Sequence, residues 1–254
     1  MKKFFLPLLP LIVVISLFEI SARIGIIPTY LVPAPSKVFE TLFLDSKDLW
    51  LAAGSTAMAA LIGFLASLMI GLSVSIGLSK SKLIQQIFYP YAVFFQTVPV
   101  IAIAPLLVIW LGYGLPTIIA SAFIVSVFPV IASSLAGLLS TDPALLDLFS
   151  LYGASSLDQL FKLRLPFALP QILTGARIAS GLAVIGAIVG EFIGGGGLGG
   201  IVDEARTQQR IDRVFAAVLL ASVLGLALFG CINLLSRYFL RNWHASEREI
   251  YKKI

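Results

Sequence analysis

The chain has 254 residues, of which 59% are hydrophobic and 12% are charged, and its formal net charge is +5. Charged residues make up about a quarter of an ordinary soluble chain, so this composition excludes a soluble globular domain and indicates a polytopic membrane protein. In such a chain the basic excess marks the cytoplasmic ends of spans and is no evidence for nucleic-acid binding. A single cysteine excludes an intramolecular disulfide, and with a single histidine no metal site, cofactor site or catalytic triad is expected.

An apolar run follows the basic residues at the N-terminus. Two interpretations are open: a signal peptide cleaved near Ala22, or a retained first span over about residues 4–25. We favour the retained span, because the apolar character resumes at residues 24–27. Glu19 and Arg23 are four residues apart, which predicts an ion pair on one helix face near the outer end.

Residues 28–48 contain three prolines and several charges, which indicates an external loop with a short surface helix over 36–47. The apolar residues 50–78 then predict the second span. Lys80 and Lys82 mark a turn on the cytoplasmic side. Four glycines recur along the second span and would let helices approach closely: Gly54, Gly63, Gly71 and Gly77.

No Asp, Glu, Lys or Arg occurs between residues 83 and 141. Because about twenty residues cross a bilayer, this interval predicts two spans, at about 86–111 and 116–138, divided by a glycine-rich turn. Pro99 and Pro105 should interrupt the first of these helices. Two interpretations stay open there: a kink that only shapes packing, or a lining of the conduit by Gln96, Thr97 and Pro99.

Residues 141–170 interrupt the apolar sequence with a charged, helix-prone insert. Asp142 followed by Pro143 predicts an N-cap and a first helical turn. Gly153 stands where this helix would end in a left-handed turn. Four apolar residues share one face at helical spacing: Leu145, Leu148, Phe149 and Tyr152.

A second short helix follows in the same insert. Ser156 and Gln159 predict its capping box, and it should stop before Pro166. Its apolar side carries Leu157, Leu160 and Phe161. Two short amphipathic helices joined at an angle are too polar for lipid, so the insert needs a soluble partner with a groove.

The fifth span is predicted at about 171–193, with Arg177 near its inner end and Glu191 near its outer end. Ionisable groups in a span are costly and often functional. Glu191 has two open interpretations: an anchor in the hydrated headgroup region, or a group that acts near an external gate.

A glycine-rich run at 194–200 follows the fifth span. It is not a phosphate-binding P-loop, because no Gly-Lys-Ser/Thr follows it and no strand precedes it. We interpret it as a flexible external turn that leads into a polar segment over 203–213. The sixth span is predicted at about 214–236, and residues 237–254 form a basic, polar tail.

The insert resembles the cytoplasmic loop of ABC-transporter inner-membrane permeases, which reads E-A-A, three residues, Gly, nine residues, I-x-L-P. Here Asp147-Leu148-Phe149 replaces E-A-A, and Gly153 and Leu163-Arg164-Leu165-Pro166 follow at the same spacing. The opening triplet departs from the pattern, since both alanines are replaced by bulkier residues. The resemblance implies a set of ATPase-coupling residues: Asp147, Leu148, Phe149, Tyr152, Gly153, Ala154, Ser155, Leu157, Phe161, Leu163, Leu165 and Pro166.

Two further stretches extend the resemblance. QTVPVIAIAPLLVIWLGYG (96–114) and LPQILTGARIASGLAVIGAIVGEFIGGGGLG (169–199) are similar to permeases of nitrate/sulfonate/taurine-type importers. That family also handles pyrimidine vitamin precursors and riboflavin-like solutes. Together with the loop, the similar stretches cover most of residues 90–200.

The resemblance implies an all-α permease domain over residues 1–254, with six transmembrane helices and a cytoplasmic coupling loop between the fourth and fifth. Its function would be to form the translocation path of an ATP-driven importer. The implied partners are cytoplasmic ATPase subunits, a second permease copy in a homodimer and an extracytoplasmic substrate-binding protein. This chain carries no recognisable ATP site, so we expect it not to be an enzyme. The alternative is an ion-coupled transporter or passive channel without an ATPase.

The distribution of basic residues predicts the orientation in a bacterial inner membrane. With six spans and both termini in the cytoplasm, twelve basic residues lie inside and six outside, which fits the positive-inside rule. The inner set is Lys2, Lys3, Lys80, Lys82, Lys162, Arg164, Arg177, Arg237, Arg241, Arg248, Lys252 and Lys253. The outer set is Arg23, Lys37, Lys47, Arg206, Arg210 and Arg213.

Overall fold

The structure is a computed structural model that describes residues 8–26 and 28–240. This part of the chain is helical, with short connections and no strand. Its helices are α1 (Leu8–Arg23), α2 (Pro35–Leu44), α3 (Ser46–Ser79), α4 (Lys82–Thr97), α5 (Val100–Leu111), α6 (Leu115–Leu139), α7 (Pro143–Leu151), α8 (Ser156–Gln159), α9 (Leu165–Gly194), α10 (Gly197–Thr207) and α11 (Ile211–Leu240). The predicted all-helical fold is therefore confirmed.

Four helices of the described residues are long and apolar enough to cross a membrane: Ser46–Ser79, Leu115–Leu139, Ser156–Gly194 and Ile211–Tyr238. They correspond to the predicted second, fourth, fifth and sixth spans, and each extends beyond its predicted bounds. Helix α1 covers most of the predicted first span, whose first residues, like most of the predicted basic tail, lie outside the described residues. The count of six spans remains a prediction.

The predicted third span is not one helix. It is divided into α4 and α5, and Val98 between them has an extended backbone with ψ of 122°. The cause is Pro99, because the ring of a proline disfavours the helical conformation of the residue before it. The predicted interruption at Pro105 is wrong, since this proline lies inside α5. The loss of one backbone hydrogen bond is tolerated within an apolar helix.

Helices α3, α6 and α9 form the centre of the bundle. A Cβ at Gly63 would lie 2.6 Å from the Cβ of Ala122, and one at Gly71 would lie 2.9 Å from the Cβ of Val130. Both glycines therefore let α3 lie directly against α6, as predicted. Gly54 and Gly77 face open space, so the same prediction is wrong for them.

Hydroxyl groups reinforce the contact between α3 and α6. The Oγ atoms of Ser67 and Ser126 are 2.6 Å apart, and Ser75 Oγ donates to the carbonyl of Ile131 at 3.0 Å. All three serines are buried. Such bonds contribute about 0.6 kcal/mol each between membrane helices, so they support packing that the small residues make possible.

At the end of the bundle predicted to face outward, a side chain of α1 caps the N-terminus of α2. Glu19 and Arg23 form the predicted ion pair at 2.7 Å. The same carboxylate accepts hydrogen bonds from the Ser36 backbone N–H at 2.9 Å and from its hydroxyl at 2.8 Å. The N-cap of α2 is Ala34, which has no side-chain acceptor, so Glu19 supplies the missing cap from another helix.

Only Gly195 and Gly196 of the glycine-rich run form the predicted turn. The second half of the run begins α10, which folds back onto α3, α9 and α11. Leu198, Ile201 and Ala205 of α10 are buried, and their helical spacing explains why this segment forms an amphipathic helix. An ion-pair cluster closes the same end: Asp45 contacts Arg210 at 3.0 Å and Arg213 at 3.4 Å.

Candidate functional site

The first short helix of the insert, α7, has the predicted start and end. Asp142 Oδ1 accepts the Ala144 backbone N–H at 2.9 Å, which confirms the N-cap. Gly153 has a φ of +69°, which confirms the left-handed turn. The N–H of Ala154 bonds the Phe149 carbonyl at 3.0 Å, and that of Gly153 bonds the Ser150 carbonyl at 3.0 Å. These two bonds define a Schellman motif, in which glycine is the favoured residue.

The predicted capping box of the second short helix is wrong by one residue. The N-cap is Ser155, whose Oγ accepts the Asp158 N–H at 3.1 Å and donates to the Asp158 carboxylate at 2.5 Å. Ser155 has the extended backbone of an N-cap, whereas Ser156 is already helical. Gln159 instead bonds the Ser150 hydroxyl at 3.1 Å, which ties the two short helices together across the Gly153 turn.

The second helix does not stop before Pro166. Leu160–Arg164 forms a π-turn, in which the Leu165 N–H bonds the Leu160 carbonyl, and the helix continues into α9. A proline lacks the N–H and its ring crowds the preceding turn, so the wider π-turn accommodates Pro166 without a break. The predicted second coupling helix and the fifth span are therefore one helix, Ser156–Gly194.

The insert presents an exposed apolar surface at the end of the bundle. Leu151 and Tyr152 are each 85% exposed, Leu157 is 66% exposed and Phe161 is 63% exposed. We call these four residues the apolar cap; Leu151 was not among the residues predicted to couple to an ATPase. Of the other residues predicted to couple to an ATPase, Asp147, Leu148, Gly153 and Ser155 are exposed, and Phe149, Ala154, Leu163, Leu165 and Pro166 are half-buried.

The base of the insert is fastened to the bundle. Arg164 Nη1 donates to the carbonyl of Ser79, the last residue of α3, at 3.3 Å. On the solvent-exposed face of the same turn, Lys162 forms an ion pair with Asp158 at 2.5 Å. The exposed apolar cap thus stands on a segment that is joined to both α3 and α9.

The predicted path residues lie at the break between α4 and α5. Gln96, Thr97 and Pro99 are exposed, and the Thr97 hydroxyl donates to the Phe94 carbonyl at 2.8 Å. No hydrogen bond or ion pair described between residues 8 and 240 joins Glu191 to these three residues. The structure therefore does not bring the four predicted path residues together.

Glu191 is fully buried, with a relative exposure of 0%. Its interpretation as an anchor in hydrated headgroups is therefore wrong. Its Oε2 accepts the Gly199 N–H at 2.9 Å, and the neighbouring Leu198 N–H bonds Thr56 Oγ1 at 2.9 Å. Thr56 was not predicted as a functional residue. The signal available for this contact is the Gly-Leu-Gly sequence over 197–199, since alternate glycines permit close backbone approach.

The other ionisable group of α9 also has a partner. Arg177 of α9 donates from Nη2 to the Ser236 hydroxyl of α11 at 2.8 Å. Arg177 and Glu191 are thus both held by contacts within the chain.

Residues 63–241 match the family described as "Binding-protein-dependent transport system inner membrane component". The chain is 37% identical over 235 residues to a "Probable ABC transporter permease protein" from Haemophilus influenzae, with 92% of this chain and 96% of the relative covered. It is 35% identical over 236 residues to the formylaminopyrimidine transport permease protein ThiX from Halalkalibacterium halodurans, with 92% and 94% covered.

The fold has a counterpart among solved structures. Inward-facing MetNI, a methionine ABC transporter, aligns with a TM-score of 0.62 and 20% identity over 78% of this chain and 97% of that chain. The matches favour an ABC permease over a passive channel or an ion-coupled transporter. The chain therefore belongs to the family of binding-protein-dependent inner-membrane transport components, and it is a permease subunit of an ABC importer.

Proposed function

We propose that the apolar cap and the residues around it dock into a groove on a cytoplasmic ATPase subunit. The observation that carries this proposal is the strong exposure of Leu151, Tyr152, Leu157 and Phe161, together with the partial exposure of Leu145 and Leu148 on the same segment. Aromatic and aliphatic anchors of this kind supply most of the energy of a protein interface when a partner buries them. ATP hydrolysis takes place in that partner.

The continuous helix Ser156–Gly194 couples the ATPase to the membrane domain. It has 39 residues, or about 58 Å at the rise of an α-helix. A displacement of Phe161 by the ATPase is transmitted along this helix without a loop in between. The contact of Arg164 with Ser79 carries the same displacement to α3.

Two copies of this permease form the translocation path between them. Exposed polar groups are costly against lipid, so Gln96 and Thr97 at the break between α4 and α5 face the path rather than the bilayer. Pro99 creates this break and thereby exposes backbone carbonyls to the path. Glu191 acts at the outer end. An extracytoplasmic binding protein delivers solute to that end.

The solute is a small, uncharged heteroaromatic compound of the aminopyrimidine type. The relative that is 35% identical is named for formylaminopyrimidine transport. In addition, the one cationic side chain of α9, Arg177, bonds the Ser236 hydroxyl within the chain, and the Glu191 carboxylate would repel an anionic solute.

Thermal unfolding of the purified binding-protein partner tests the solute class. Formylaminopyrimidine should raise its unfolding midpoint by mass action, whereas taurine and alkanesulfonates should leave it unchanged. Stabilisation by a sulfonate alone would replace the aminopyrimidine assignment with the anion class.

Single-cysteine labelling tests the orientation. In a Cys231→Ser background, Lys47→Cys should react with a membrane-impermeant maleimide on intact cells, and Ser156→Cys should react only after permeabilisation. Both residues are exposed and lie at opposite ends of the bundle. Lys47 serves better than Asp45, which takes part in the ion-pair cluster. The reverse labelling pattern would place the insert outside and exclude ATPase docking.

A further inference from the structure

We propose that α10 moves together with the ATPase-driven helix Ser156–Gly194, which we call the coupling lever. Thr56 and Glu191 are positioning residues that hold α10 against α3 and α9 at the outward end of this lever, and we call this contact the clamp. This inference rests on the proposed coupling role of the insert. It assigns a function to Thr56, to α10 and to the buried carboxylate.

The clamp is a helix cap supplied from two other helices. The N-cap of α10 is Gly196, which has no side-chain acceptor. The second and third N–H groups of α10 instead bond Thr56 Oγ1 of α3 and Glu191 Oε2 of α9, each at 2.9 Å. A carboxylate at a helix N-terminus also interacts favourably with the helix dipole. The amino end of α10 is thereby bound to both long helices.

The backbones of α10 and α9 are in close contact. A Cβ at Gly197 would overlap the Glu191 carboxylate. A Cβ at Gly199 would lie 2.5 Å from the Ile188 carbonyl oxygen and 2.7 Å from the Glu191 Cβ. The backbones are in direct contact around a fully buried side chain, which is the geometry of a rigid joint rather than of a hinged lid.

The clamp lies at the far end of the lever from the ATPase. Glu191 is thirty residues beyond Phe161 on the same helix, a distance of about 45 Å. Below the clamp, α10 closes the outer end of a groove of about 660 Å³ between α9 and α11, which Leu198 and Val202 line at one end and Arg177 at the other. Displacement of α9 with α10 attached would open or close this groove on the outer side.

The test uses the complex of permease and ATPase in lipid nanodiscs, with Thr207→Cys as a probe on the exposed end of α10 in a Cys231→Ser background. With the clamp intact, a non-hydrolysable ATP analogue should change the rate of maleimide labelling by about fivefold or more. In the double variant Thr56→Val, Glu191→Gln the labelling rate should no longer respond to nucleotide. The complex should still retain its ATPase and hydrolyse ATP, while uptake is lost.

The matched control is Glu204→Gln, which makes the same chemical change at an exposed glutamate of α10. It should keep the nucleotide response and the uptake. If the double variant does not assemble, Thr56→Val alone removes one of the two acceptors and should reduce the nucleotide response.

Two results would overturn the clamp: no nucleotide response with the clamp intact, or an undiminished response in the assembled double variant or in Thr56→Val. Failure of the parent chain to bind the ATPase would instead contradict the proposed coupling function. The two failures are therefore distinguishable.

Discussion

Gly153→Val should leave the permease inserted in the membrane but abolish both retention of the ATPase in detergent and solute uptake. Gly153 has a φ of +69°, and a Cβ built there meets no heavy atom within 4 Å. The expected cost is therefore conformational, roughly 1–2 kcal/mol for a residue with a Cβ and more for a β-branched one. The strain is local to the insert, so α3, α6 and α9 should pack as before.

The loss of coupling follows from the geometry of the apolar cap. Leu151 and Tyr152 lie before the Gly153 turn, and Leu157 and Phe161 lie after it. A change in the turn alters the angle between the two pairs and breaks the Schellman hydrogen bonds of Ala154 and Gly153. Because a few central anchors carry most of an interface's energy, a misplaced pair should release the ATPase.

Co-purification of the ATPase and uptake in reconstituted vesicles measure the effect. Gly153→Asn is the matched control, because asparagine adopts the left-handed conformation several times more often than other residues with a side chain. It should retain the ATPase, and Gly153→Ala should fall between the two. Normal assembly and uptake by Gly153→Val would remove the coupling role from the insert.

Local features of the insert were predictable from sequence because they depend on neighbouring residues only. Asp142 as N-cap and Gly153 as a left-handed helix end are decided by short-range sterics and hydrogen bonds. The error at Ser156 has a local cause too. Ser155 and Ser156 carry the same hydroxyl acceptor, so either could be the N-cap. Because the Schellman motif ends at Ala154, the next residue, Ser155, takes the N-cap position.

The continuity of α8 with α9 was not predictable in the same way. Pro166 normally favours a helix boundary at the residue before it, and the prediction followed that rule. The structure avoids the boundary with a π-turn, which inserts one residue per turn and leaves room for the ring. Such a turn has no sequence signature that distinguishes it from a helix end.

The outer clamp depends on contacts between residues far apart in the chain. Thr56 and Leu198 are separated by 142 residues. The glycines at 197 and 199 indicate a close backbone approach, but nothing in a single sequence specifies Thr56 as the partner. The spacing of Leu198, Ile201 and Ala205 is typical of an amphipathic helix, but the run of glycines led to the interpretation of this segment as a turn. Glycine weakens helix propensity, and here close packing outweighs that cost.

The second large effect is expected at adjacent glycines of α10. Gly199→Ala should destabilise the permease and abolish uptake, whereas Gly200→Ala should be tolerated. A Cβ at Gly199 would lie 2.5 Å from the Ile188 carbonyl oxygen, and this backbone atom can move only if α9 moves. A Cβ at Gly200 would meet only the Gly195 carbonyl carbon at 3.6 Å, which is an ordinary contact.

Two contributions to the loss of stability add up at Gly199. Overpacking costs about 1–3 kcal/mol, and displacement of α10 would also break the cap that Glu191 provides, worth about 1 kcal/mol. At Gly200, alanine should gain about 0.5–1 kcal/mol of helix stability. Thermal unfolding in detergent should therefore show a lower midpoint for Gly199→Ala and an equal or higher one for Gly200→Ala. Equal midpoints for the two variants would mean that α10 does not rest on α9 through Gly199, and that the buried Glu191 is held in another way.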